Sequence, residues 1–106
     1  MITIILENRE NQIIEKTGEP NNREYLLQPL DAQSFPILSE VSDCDNELIT
    51  SEHMPQLIGE LKKLKTTVNE TQKHQIDEII RLARICEINK DYFLIFTPFA
   101  HLTKFE

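Results

Sequence analysis

A chain of 106 residues with 40 % hydrophobic and 27 % charged residues has the balance of one globular domain around one modest core. Its 18 acidic residues outnumber 11 basic ones for a net charge of -7, which argues against a phosphate-tracking groove lined by clustered Lys and Arg. The longest apolar run, Tyr92 to Phe96, is far short of a membrane span, and the start through Thr3, Glu7 and Arg9 lacks a signal-peptide pattern, so a cytoplasmic protein with no nucleic-acid or membrane partner is expected.

In chain order, the β-branched run Ile2 to Leu6 reads as a strand and Gln12 to Lys16 as its hairpin partner across a polar turn. Gly18-Glu19-Pro20-Asn21-Asn22 is turn chemistry that ends the hairpin. Tyr25 to Leu30 has strand-like residues interrupted by Pro29, and Phe35 to Val41 (FPILSEV) alternates as a further strand. Ser42 to Asn46 is a loop. A first helix begins near a Thr50 or Ser51 cap, takes Pro55 in its first turn, and sets Met54, Leu57, Ile58, Leu61, Leu64 and Val68 on one face. Lys62, Lys63 and Lys65 near its end suit the negative end of the helix dipole. A second helix spans about Glu70 to Asn89, capped by Asn69 or Thr71, with Ile76, Ile79, Ile80, Ala83 and Cys86 facing inward. Tyr92 to Thr97 is a central strand ended by Pro98, and residues 99–106 form a loose tail. The order predicts one α+β domain over residues 1–106: a two-layer sandwich with a mostly antiparallel sheet of about four strands and two helices on one face.

The charge pattern is the main functional signal. Between Arg23 and Lys62 there is no Lys or Arg, while Glu24, Asp31, Glu40, Asp43, Asp45, Glu47, Glu52 and Glu60 fall in the same stretch. Such a field repels phosphates and attracts basic surfaces. Asp43, Asp45 and Glu47 have the alternate spacing of oxygen ligands, but the calcium-loop pattern fails because its turn glycine is missing and Met54 stands at its twelfth place. No metal and no cofactor is therefore expected. The two glycines, Gly18 and Gly59, are too far apart for a phosphate-binding loop. Cys44, between two aspartates, is a poor nucleophile, and Cys86 belongs to a helical apolar face. His53 is placed in sequence to approach Asp45 or Glu47 as an acid–base pair, the arrangement a small hydrolase would need. His74 sits among helix-surface residues and His101 in the tail, and both are expected in solvent.

Small size, net acidity, the segment 40–52 and the FPILSEV-to-helix arrangement resemble bacterial immunity proteins and other small acidic bacterial proteins of uncharacterised function. The resemblance implies a non-enzymatic binding module that masks a basic partner surface, with Glu40, Asp43, Asp45, Glu47 and Glu52 as its contacts. The alternative is a structural or regulatory homo-oligomer module, meeting its copy through Tyr92, Leu94, Phe96 and Phe99 on one side of the last strand.

Overall fold

The computed structural model describes residues 1–28 and 30–99. Its regular elements are β1 (Thr3–Glu7), β2 (Ile13–Thr17), α1 (Arg23–Leu26), β3 (Glu47–Thr50), α2 (Met54–Lys65), α3 (Glu70–Ile88) and β4 (Phe93–Thr97). Short 3-10 turns at Leu38–Glu40 and Ser51–His53 lead toward β3 and α2. The strands make one antiparallel sheet in the order β2-β1-β4-β3, with the helices packed on one face. The expected α+β sandwich is present. The tail expected over residues 99–106 lies, beyond Phe99, outside the described residues.

The opening hairpin is set by asparagine chemistry. The Asn8 side chain accepts the backbone N–H groups of Glu10 and Gln12, at 3.0 and 2.9 Å. Asn11 takes the left-handed backbone (φ 62°), which asparagine tolerates better than most residues. The register then puts Ile4 opposite Phe96 and Leu6 opposite Leu94, while Leu94 faces Ile49 on the next strand. These five side chains are buried against α2 and α3. Apolar burial of this kind supplies most of the drive for folding.

The helices follow their periodicity. Met54, Leu57, Ile58, Leu61 and Leu64 of α2 are buried, as are Ile76, Ile79, Ile80, Leu82, Ala83 and Cys86 of α3. Asn69 caps α3 by accepting the Gln72 N–H at 2.9 Å, and the Gln72 side chain returns the bond to the Asn69 N–H at 3.2 Å. At the start of α2 no side chain caps the helix; the 3-10 turn at Ser51–His53 leads in instead, with Pro55 in the first turn. The buried Asn22 side chain ties the turn before α1 to both layers: it bonds both backbone groups of Ile2, beside β1, and the side chain of Gln75 on α3.

The strand expected over residues 35–41 is replaced, and the stretch from Tyr25, where Pro29 argues for an edge or irregular segment, starts in a helical turn. Tyr25 and Leu26 lie in the single turn of α1, buried in the core. The FPILSEV segment is irregular and ends in a 3-10 turn, because its donors are taken elsewhere. The Phe35 and Ser39 N–H groups bond back to Asp31 and Phe35 in helical-turn fashion, and those of Ile37 and Leu38 go to the carboxylate of Glu60. Pro36 has no N–H to offer. The fourth strand is instead β3, formed by Glu47–Thr50 between the acidic loop and the start of α2.

Candidate functional site

Strand β3 is one of the two edge strands of the sheet, paired only with β4, as β2 at the other edge is paired only with β1. It grows out of the acidic segment. Val41 is buried and anchors the approach. The Ser42 hydroxyl then accepts the N–H groups of Cys44 and Asp45, at 3.1 and 3.0 Å, and this turn holds Asp43, Cys44 and Asp45 in solvent. Along β3, Ile49 points into the core while Leu48 points out and stays 53 % exposed. Glu52 and His53 follow, both exposed.

The carboxylates of the stretch have separate roles. Glu60 is fully buried; it accepts from the Ile37 and Leu38 backbone, at 3.0 and 2.9 Å, and from the Gln56 side chain at 2.8 Å. Asp43 meets the Arg23 guanidinium at 2.8 Å. The Cys44 thiol bonded to it, together with Arg23, holds its carboxyl below the usual range. Glu40, Asp45, Glu47 and Glu52 form no ion pair among the described residues. Glu47, opposite Phe96 in the register, is half-buried; burial and then the Glu40 charge raise its carboxyl above the ordinary value. Four acids thus border the edge strand without local compensation.

The Cys44 thiol is pushed up by its bond to Asp43, by the Asp43 charge, by burial and by Asp45, which disfavours a thiolate. Burial pushes the Cys86 thiol up to about 11. His53 makes no hydrogen bond or ion pair to Asp45 or Glu47 among the described residues. No group of three or more His, Cys, Asp or Glu side chains among them converges to hold a metal ion. No helix among them is long and apolar enough to cross a membrane.

The expected oligomer contact is corrected by the register. Leu94 and Phe96 are fully buried beneath the helices, and Tyr92 packs half-buried against the same core. Phe99 is half-buried beyond the strand. The open side of β4 carries Phe93 and Ile95 instead, with Ile95 opposite Ile5 and Leu48. Sequence reasoning also missed Arg23 as the partner of Asp43, and Glu60 as an internal group. Spacing carried no sign of the Arg23–Asp43 pair or of the bonds from Glu60 to the Ile37 and Leu38 backbone, since these partners lie 20 or more residues apart.

Comparison of the chain with protein-family models, curated proteins and solved structures finds no match.

Proposed function

We propose that this protein is a cytoplasmic protein-binding module whose acidic sheet edge receives a basic partner surface, as an immunity-type inhibitor would. The observation that carries the reading is that the free edge strand and the uncompensated acids are one continuous segment, from Glu40 to Glu52. The acids would steer a basic partner to the edge, and the unpaired backbone of β3 with exposed Leu48 would add short-range contact. The role needs occlusion and no chemistry from His53, so no enzymatic step is assigned. Asp43 contributes least, because Arg23 already offsets it.

The test is binding from a lysate of the source organism by tagged wild type and by E40K/D45K/E52K, at low and moderate salt. That variant leaves the Arg23–Asp43 pair and half-buried Glu47 intact. A basic protein retained by wild type only, released by salt, and protecting the β3 amides from hydrogen exchange supports the reading. Equal retention by both proteins, or no protection at β3, overturns it.

A second reading, self-association, is favoured by one observation: Leu48 and Ile14 are 53 % and 43 % exposed on the sheet's open side, near half-buried Phe93 and Ile95. Sedimentation of wild type beside Leu48→Lys separates it from the first. A dimer lost in Leu48→Lys but kept in the triple charge variant supports self-association.

A further inference from the structure

An edge strand offers unpaired backbone N–H and C=O groups to any second strand, including the same strand of another copy. The two edges, β2 and β3, each carry a carboxylate on the helix side of the sheet: Glu15 opposite Leu6, and Glu47 opposite Phe96. They differ in compensation. Glu15 is paired with Arg81 from α3, whereas Glu47 has no ion pair among the described residues. Glu47 also shares its side of β3 with Ile49, which is only 4 % exposed. Burial first and the Glu40 charge second raise the Glu47 carboxyl, so its charged form is disfavoured where it stands. At neutral pH such a group weakens the fold, and the packing of the single chain supplies no reason for it.

Pairing of β3 with its own copy supplies one. In a continuous antiparallel sheet, residues directly opposite one another point to the same side. Across a two-fold axis, the two copies of β3 therefore meet either Leu48 on Leu48 or Ile49 on Ile49. The first register joins two leucines that are each 53 % exposed in the single chain, so it has the larger apolar gain. It also sets Glu47 of each copy opposite Ile49 of the other, with the two Glu47 residues as diagonal neighbours about 7–8 Å apart. Each half-buried carboxylate is then driven further from water, beside a like charge and with no cation to meet it. Because β3 has four residues, the backbone bonds gained are few, and one uncompensated charge decides the balance.

We propose that Glu47 determines the specificity of the β3 edge: its charge keeps the strand from pairing with a second copy of this chain. A segment that brings a Lys or Arg opposite Glu47 would meet the carboxylate with a cation, so the same residue favours the basic partner assigned above. That half rests on the acidic-edge reading, and the exclusion of a second copy does not.

The test is sedimentation equilibrium of wild type, Glu47→Gln and Glu10→Gln at neutral pH over a concentration series. Glu10 is exposed on the turn between β1 and β2, so its substitution removes the same net charge without touching β3. Glu47→Gln should associate more tightly than wild type by about tenfold or more, and Glu10→Gln should match wild type. Hydrogen exchange of associated Glu47→Gln should show protection at residues 47–50 beyond that of wild type, which places the contact at the strand and not at the sheet's open side. A melting temperature equal to or above wild type establishes that the association is not partial unfolding; if Glu47→Gln melts lower, Glu47→Ala repeats the comparison. The proposal is overturned if removal of the charge leaves association as in wild type, if Glu10→Gln associates as tightly, or if residues 47–50 gain no protection. Failure to capture a basic protein from the lysate would sink the acidic-edge reading and leave each of these outcomes as decisive as before.

Discussion

Two carboxylates of the acidic stretch, Glu60 on α2 and Glu47 on β3, use the same functional group in opposite ways. At Glu60 the carboxylate faces inward, and backbone and side-chain donors surround it. At Glu47 it sits half-buried beside Phe96, with another acid, Glu40, as its electrostatic neighbour. Glu60 closes the irregular segment against α2, whereas the acids around β3 hold charge at a free edge. A run of one sign in a sequence is therefore not one surface. Only the part from Glu40 to Glu52 borders the edge strand β3, and within it Asp43 is paired with Arg23.

The comparison breaks most readily at Glu60. Glu60→Ala strands the N–H groups of Ile37 and Leu38, and should destabilise the fold by roughly 2–5 kcal/mol. Denaturant unfolding gives the magnitude, and hydrogen exchange at those two amides gives the location. A loss under about 0.5 kcal/mol would mean that the segment finds other acceptors, and the internal role of Glu60 would be wrong.

Helices α2 and α3 and strands β1, β2 and β4 were legible because each carries a long or strongly apolar pattern. The cap of α3 was legible only as Asn69 or Thr71, both polar residues near the start of its apolar repeat, and the capping box selects Asn69. FPILSEV misled for a physical reason: its alternation matches a strand, but a carboxylate 22 residues further on takes the donors that a neighbouring strand would need. β3 was hidden by its length of four residues and by the acidic loop that runs into it. The faces of β4 could not be told apart from its own residues, since both are apolar. The pairing of Ile4 with Phe96 and of Leu6 with Leu94 decides which side the helices cover. Of the site, the acids were legible as a group, but their separation into internal, paired and uncompensated members depends on contacts distant in sequence.

Gly59 sharpens the contrast from the neighbouring position. It points away from the core that Glu60 enters, and an added Cβ would meet nothing within 4 Å. Gly59→Ala should therefore stabilise the protein by about 0.5–1 kcal/mol through helix propensity alone. Denaturant midpoints at unchanged slope would show it. A destabilised Gly59→Ala would show that the outward face of α2 contacts something after all.

The smallest effect belongs to Glu47, and its sign is informative. Its carboxyl is raised in the folded protein above the ordinary value of 4.5, so the folded state holds the proton more tightly than the unfolded chain. Stability should fall as the pH rises from about 4.5 through the raised value, and the penalty should be fully present above it. Glu47→Gln removes the charge, so it should raise stability at neutral pH and leave it nearly unchanged below the window. Because the side chain is only half-buried, solvent screening limits the gain to roughly 0.5 kcal/mol or less. Thermal unfolding of wild type and Glu47→Gln across the acid range measures the difference. Glu40→Gln should reproduce a smaller part of it, since the Glu40 charge is the lesser of the two causes, after burial. A Glu47→Gln protein that loses stability at neutral pH would mean that Glu47 has a favourable partner at the edge, and the uncompensated character of that edge would have to be given up.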